Sequence, residues 1–265
     1  MESATKVLLT GSSGFIGRHF ISDFKRHYDI RTTNLRALDP SQIDFLEIET
    51  VVHCAGLAHQ MDRSPPEEEY FEVNCNLSVK LAKAAKEAGV LHFIYFSTSH
   101  VFGDSGTLSL TNPPLSPASS CHPTDGYGKS KLAAEKELLS LSSKSFTVSI
   151  VRPPLVYGRG AKGNIPRLGK LIQRIPILPL GYGKNRRSLI YIGNLTAFID
   201  TLIRKKRRAF SFPKTPNRFQ LKLLQKELQR PWENDASLSE FRVGPFDSSV
   251  GSVQKTPLVF LATWF

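Results

Sequence analysis

Residues 6–17 read KVLLTGSSGFIG, and the fold follows from how this stretch divides. Val7-Leu8-Leu9 is a short apolar run suited to a strand buried on both faces, and Thr10 hands over to glycines at 11, 14 and 17. The residues that follow, FIGRHFISDFKRH, have helical spacing. Strand, glycine turn and helix in succession put a helix N-terminus at the mouth of the turn, with its unpaired N–H groups and positive dipole end facing outward. Glycine suits such a turn because it accepts positive φ and lets the backbone approach a ligand closely. A phosphate is the natural occupant. The spacing G-x-x-G-x-x-G differs from the common dinucleotide pattern G-x-G-x-x-G, so its weight comes from the strand before it and the helix after it.

Composition bounds the rest. The chain has 265 residues, 40% hydrophobic and 22% charged, enough to bury a full core in one large domain or two small ones. No apolar run approaches the roughly 20 residues of a membrane span. The start MESATK lacks the basic-then-apolar pattern of a signal peptide, so a cytoplasmic location is expected. Cys54, Cys75 and Cys121 are scattered and contain no C-x-x-C pair, which argues for free thiols and against a disulfide framework or a metal site. The net charge of +12 is uneven: residues 1–150 hold 14 basic and 17 acidic side chains, residues 151–265 hold 21 and 6. The basic run Arg204–Arg208 has no nucleic-acid module around it. A solvated helix end, or steering of a doubly anionic nucleotide substrate, fits the charge better than nucleic acid.

Further along, Tyr28–Thr33 reads as a second strand. An acid near its end usually holds the adenosine ribose of NAD, whereas an Arg accommodates the 2′-phosphate of NADP. Here Asn34 and Arg36 occupy that region, so the cofactor expectation is NAD or NADP, with Arg36 favouring NADP. Residues 37–50 form a compressed connector. Thr50–Gly56 then repeats the passage from apolar strand into small residues, which places Ala55 and Gly56 against a dinucleotide; His53 reads as a packed strand residue. Residues 57–72 read as a polar, acidic loop and Phe71–Ala88 as a helix ending at Gly89. The run HFIYF at 92–96 opens into the hydroxyls of Ser97, Thr98 and Ser99, where open α/β sheets bind ligands. After a Pro- and Ser-rich loop over 104–124, a helix begins near Tyr127, and the i, i+4 spacing puts Tyr127 and Lys131 on one face. A nearby ammonium favours a phenolate, so this pair predicts a Tyr127 pKa lowered toward general acid/base range.

TGSSGFIG, STSHVFG, YGKSK and RPPLVYG, in that order, resemble an extended short-chain dehydrogenase/reductase, and more closely the NAD-dependent epimerase/dehydratase branch. The resemblance implies an α/β, Rossmann-like, doubly wound parallel sheet with a smaller C-terminal substrate domain: a dinucleotide-binding domain over residues 1–152 and a substrate region over 153–265. It implies Tyr127 as catalytic acid/base, Lys131 as the residue that binds the nicotinamide ribose and tunes Tyr127, and Thr98 as their partner. Gly11, Gly14, Phe15, Ile16 and Gly17 would cradle the pyrophosphate. Asn164 in KGNIPRL and Arg187 in NRRSLIYIGNL would contact the nucleotide of a UDP-linked sugar, Arg187 by bidentate hydrogen bonds. The positions that carry an Asp-Glu pair in dehydratases are Ser99 and His100 here, so dehydration is not expected. What remains is hydride transfer at the sugar C4, as a UDP-sugar 4-epimerase or a UDP-4-keto-sugar 4-reductase in surface polysaccharide synthesis. A homodimer is carried as an expectation, and a non-catalytic dinucleotide sensor is the rival reading. Residues 232–265 are short for the family, which puts closure over the substrate in question.

Overall fold

A computed structural model describes residues 4–58, 65–103, 115, 118–161, 186–205, 210–211 and 262–263, of which 186–187, 210–211 and 262–263 are backbone only. The first elements are those the opening stretch dictates: β1 (Lys6–Thr10), the glycine turn, and α1 (Phe15–Phe24). The strands β2 (Asp29–Thr33), β3 (Thr50–His53), β4 (His92–Phe96) and β5 (Thr147–Val151) join β1 in one parallel sheet, whose order is β2-β1-β3-β4-β5-β9 with β9 at Phe210–Ser211. The chain leaves β1 toward β2 on one side and returns to β3 on the other. Such a reversal opens a crevice at the C-terminal ends of the central strands.

The strands alternate between two packed layers. Leu8, Val51, Phe93, Val148 and Ile150 form one cluster with Leu81, Ala82 and Ala85 of α3 (Leu77–Glu87) and with Ala134 and Leu138 of α4 (Gly126–Ser140). Val7 and Leu9 face the other way because side chains in a strand alternate, and they too are fully buried. On that side α5 (Ile192–Lys205) ties to α1 and its exit: Thr196 Oγ1 donates to Asp23 Oδ2 at 2.7 Å, and the Tyr28 hydroxyl to Asp200 Oδ1 at 2.6 Å. Burying apolar surface at about 25 cal/mol per Å² on both faces is the main stabilising term.

Between β3 and β4 the structure departs from the sequence reading. The acidic residues expected in a loop form α2 (Glu67–Phe71), since three carboxylates in a first turn behind Pro66 complement the positive end of a helix dipole. A π-helical turn over Glu72–Asn76 then joins α2 to α3, so the helical segment starts earlier than its apolar spacing indicates and contains one widened turn.

The chain divides into two compact units: Met1–Asp104, Pro117–Pro153 and Leu195–Pro213 in one, Ser105–Ser116, Pro154–Asn194 and Lys214–Phe265 in the other. In the second, β6 (Leu155–Tyr157) pairs in parallel with β8 (Leu189–Tyr191), and β7 (Arg186–Arg187) runs antiparallel to β10 (Ala262–Thr263). Among the described residues no helix is long and apolar enough to cross a membrane.

One buried ion pair holds the catalytic-side elements of the first unit together. Arg152, just beyond β5, donates from Nε to both oxygens of Glu135 on α4 at 2.9 and 3.2 Å, and its guanidinium lies 5.0 Å from the Phe102 ring centroid. The side chains are 7% and 2% exposed, so removing one partner strands the other charge out of water. Arg152→Met is expected to lower unfolding free energy by about 3–5 kcal/mol, read from urea midpoints.

Candidate active site

The glycine turn is shaped by contact with β3. Gly11 has φ +71, and a Cβ there would lie 2.6 Å from the Ala55 nitrogen; a Cβ at Gly17 would lie 2.4 Å from the Gly11 carbonyl oxygen. Both glycines are therefore required by the turn itself. Gly14 differs: a Cβ there meets only the Gly11 oxygen, at 3.1 Å. Gly14 caps α1 without a side-chain hydrogen bond, and the first turn carries no acid, so the N–H groups of Phe15, Ile16 and Gly17 have no anionic side chain of their own. An open helix N-terminus above a close strand crossing is a fit for a dinucleotide pyrophosphate.

Beneath the crevice runs a continuous chain of buried polar groups. The Ala55 N–H donates to Thr10 Oγ1 at 3.2 Å, Thr10 meets His53 Nδ1 at 2.6 Å, His53 Nε2 meets Ser78 Oγ at 2.8 Å, and Ser78 donates to the Asn74 carbonyl at 2.8 Å. Because Ser78 spends its proton on Asn74, His53 must donate from Nε2 and accept at Nδ1 from Thr10. The imidazole is neutral; burial first, and the Lys131 charge second, push it down to about 3. His53 is thus the packed strand residue its place in β3 suggested. The Asn74 side chain receives the Leu57 N–H at 2.8 Å, returns a bond to the Leu57 carbonyl at 3.0 Å, and donates to Ser130 Oγ at 3.2 Å. Asn74, Ser78 and Tyr95 escaped the sequence reading, since nothing in their local spacing separates them from ordinary helix and strand residues.

Thr98, Tyr127 and Lys131 come together above this floor. Lys131 is 4% exposed; its Nζ donates to the Phe96 carbonyl at 2.8 Å and sits 4.6 Å from the Tyr95 ring centroid. Burial brings its ammonium down to about 8, leaving it charged at neutral pH. Gly56 lies against it: a Cβ there would be 3.1 Å from Lys131 Nζ and 2.9 Å from Asn74 Oδ1. Thr98 ends β4 and accepts the His100 N–H at 3.2 Å, so its own proton is free to point toward Tyr127, with which it interacts. Tyr127 opens α4, whose N-cap Asp125 accepts the Gly128 N–H at 2.6 Å.

The expected lowering of the Tyr127 pKa is not what the structure gives. Burial pushes the phenol up to about 12, the Thr98 hydrogen bond pulls it down, and the Asp125 and Tyr70 charges push it up again. The Lys131 ammonium is directed at the Phe96 carbonyl and the Tyr95 ring instead, so helical spacing alone does not deliver the charge to the phenol.

Three candidates remain, Arg36, Asn164 and Arg187. Arg36 is exposed, and its N–H donates to Asn34 Oδ1 at 3.1 Å, making a local turn at the end of β2. Asn164 lies outside the described residues, and Arg187 is described only as backbone in β7. The cysteines are free, and the described residues contain no group of three His, Cys, Asp or Glu that could hold a metal ion.

A parallel sheet with a strand reversal at a glycine turn, and a Thr-Tyr-Lys cluster at its C-terminal edge, defines an extended short-chain dehydrogenase/reductase. The chain belongs to the NAD dependent epimerase/dehydratase family, whose profile matches residues 7–213. A UDP-glucose 4-epimerase of Vibrio cholerae is 36% identical over 219 residues, covering 74% of this chain and 66% of that protein. An Escherichia coli O157:H7 N-acetyl-alpha-D-glucosaminyl-diphospho-ditrans,octacis-undecaprenol 4-epimerase is 31% identical, covering 73% and 61%. The chain thus spans slightly under two thirds of the length of these relatives. A solved dTDP-4-dehydrorhamnose reductase from Bacillus anthracis in complex with NADP shares the fold, with TM-score 0.67, 21% identity and coverage of 81% and 76%. A UDP-glucuronic acid 4-epimerase from Bacillus cereus in complex with UDP-glucuronic acid and NAD does so with TM-score 0.63, 20% identity and coverage of 78% and 76%.

The neutral His53 makes stability depend on pH. Its folded pKa, about 3, lies below the ordinary 6.5, so the unfolded chain binds more protons between these values and stability falls as pH drops through that window. Between pH 6.5 and 5 the loss from this site should be about 2 kcal/mol, at 1.36 kcal/mol per proton per pH unit. Urea unfolding at the two pH values, compared with His53→Phe, should show that share of the pH dependence missing in the variant.

Proposed function

We propose that the chain is an NAD(P)-dependent enzyme that transfers hydride at C4 of a nucleotide-linked, UDP-type sugar, as a 4-epimerase or a 4-keto-sugar 4-reductase serving surface polysaccharide synthesis. The observation that carries this reading is the meeting of Thr98, Tyr127 and Lys131 at the sheet edge beside Gly56 and the glycine turn. The names of the two 4-epimerase relatives support the sugar C4 as the reacting centre.

A bound nicotinamide supplies or accepts the hydride. Gly11, Gly14, Phe15, Ile16 and Gly17 hold the pyrophosphate at the start of α1, Ala55 and Gly56 lie along the dinucleotide, and Lys131 binds the ribose with an ammonium fixed by the Phe96 carbonyl. Tyr127 exchanges the proton of the C4 oxygen, and Thr98 hydrogen-bonds that oxygen or the phenolate. A phenol at about 12 gives its proton readily to a newly formed alkoxide, which suits the reductive direction. Asn164 contacts the substrate nucleotide and Arg187 grips its diphosphate. The protein is cytoplasmic and works as a homodimer.

Tyr127→Phe removes the hydroxyl that exchanges the proton and keeps the ring. It should cut turnover of UDP-glucose, UDP-N-acetylglucosamine or UDP-4-keto-sugar substrates by about 10²–10⁴ while leaving their affinity nearly unchanged. Unaltered turnover would remove Tyr127 from the chemistry, whereas dinucleotide binding with no turnover of any nucleotide sugar by the unmodified chain would favour the dinucleotide sensor. Identification of the dinucleotide that copurifies separates the two activities: retained NAD suits an epimerase cycle, NADPH taken up from solution a reductase.

NADP is the preferred dinucleotide in this reading, through Arg36 and the absence of an acid at Asn34. Arg36→Ala should weaken NADPH more than NADH, by about 1–3 kcal/mol in binding titrations, as for loss of a charge-assisted hydrogen bond. Equal losses would remove the preference.

A further inference from the structure

We propose that His100, held by Asp125 against the ring of Tyr127, returns the proton that Tyr127 gives to the sugar oxygen; this rests on the hydride-transfer reading above.

The placement of His100 is fixed on three sides. Its N–H donates to Thr98 Oγ1 at 3.2 Å, and its carbonyl accepts the Gly103 N–H at 3.0 Å. That carbonyl packs under α4 so closely that a Cβ on Gly128 would come within 2.9 Å of it. With the backbone clamped, the imidazole stands edge-on to Tyr127, ring centroids 5.6 Å apart at 70°, and its Nδ1 lies 3.5 Å from Asp125 Oδ2. Asp125 is itself anchored as the α4 cap through its other oxygen. Asp125 and Tyr127, from α4 and its cap, are titratable groups that face His100; the neighbouring Lys129 is paired with Glu67 at 2.9 Å.

The proton balance calls for such a group. In the reductive direction the C4 carbonyl carbon gains a hydride and its oxygen takes the Tyr127 proton, leaving a phenolate. In a reductase cycle that phenolate must regain one proton per turnover, whereas in an epimerase cycle Tyr127 recovers its proton from the substrate; the role of His100 therefore belongs to net reduction of a UDP-4-keto-sugar. Lys131 is buried and occupied by the Phe96 carbonyl and the Tyr95 ring, whereas the His100 side chain is 51% exposed. Imidazole is the side chain that exchanges protons near neutral pH. The proton passes from the imidazolium to the phenolate directly or through one water, and the neutral imidazole takes its replacement from solvent, while Asp125 holds the ring in place. In the oxidative direction the same transfers run backward.

The experiment compares the full chain with His100→Gln and Tyr127→Phe, loaded with NAD(P)H and supplied with a UDP-4-keto-sugar, whose reduction is followed by NAD(P)H oxidation. His100 is half-exposed, and glutamine keeps a hydrogen-bonding group beside Asp125, so folding is retained. His100→Gln should lower kcat at pH 7 by roughly tenfold to a hundredfold, flatten the pH–rate profile, and recover with imidazole in the buffer. Independently of turnover, UDP-glucose should slow diethyl pyrocarbonate labelling of His100, followed by mass spectrometry, and leave His122 labelling unchanged. If Tyr127→Phe is inactive while His100→Gln keeps the original kcat and pH profile, or if His100 labelling is indifferent to bound UDP-glucose, the proton-return role is overturned and the hydride-transfer reading stands. If no nucleotide sugar is turned over by the unmodified chain, both fall together.

Discussion

The site depends on how closely the ends of β1 and β3 approach one another. At Gly11 the chain turns with positive φ directly against the Cys54–Ala55 peptide, where a Cβ would be 2.6 Å from the Ala55 nitrogen. That closeness brings the α1 N-terminus over the strand ends, and it can exist only because no side chain intervenes. The order in which strands are added reverses at the same point, so the crevice, the helix dipole and the small residues Ala55 and Gly56 are consequences of one backbone contact.

A buried contact of this kind needs its polar groups satisfied, and the chain from Ala55 through Thr10, His53 and Ser78 to Asn74 does so. An unpaired amide here would cost on the order of 1–3 kcal/mol. Asn74 carries the support onward, pinning Leu57 on one side and Ser130 of α4 on the other. The floor under the dinucleotide region and the helix bearing Tyr127 and Lys131 are therefore parts of one hydrogen-bonded framework. The π-helical turn over Glu72–Asn76 is where Asn74 enters it, in keeping with the frequent occurrence of such turns at functional sites.

Electrostatics in this framework follow from burial more than from sequence proximity. Lys131 and Tyr127 are four residues apart on one helix, yet the ammonium is held by a carbonyl and an aromatic face while the phenol rises through desolvation, helped by the Asp125 carboxylate. The buried Arg152–Glu135 pair and the Asp125 cap set the same helix against β5 and the turn after β4, so Thr98 and His100 are positioned by charges that do not themselves take part in the chemistry.

By itself the sequence determined the parallel α/β fold, because apolar runs, glycines at 11, 14 and 17 and a helix-spaced segment are local signals that strand and helix geometry read directly. It also marked Thr98, Tyr127 and Lys131, whose order along the chain matches strand end and helix start. Tertiary structure alone decided three things. Asn74, Ser78 and His53 become a support because residues 21 to 25 apart in sequence meet under β3. The acidic stretch at 67–69 became helix because its charges could complement a dipole behind Pro66, which outweighed its loop-like polarity. The Tyr127 pKa moved up because solvation and the direction of the Lys131 Nζ are properties of the packed interior, and no spacing in a sequence encodes which carbonyl an ammonium will choose.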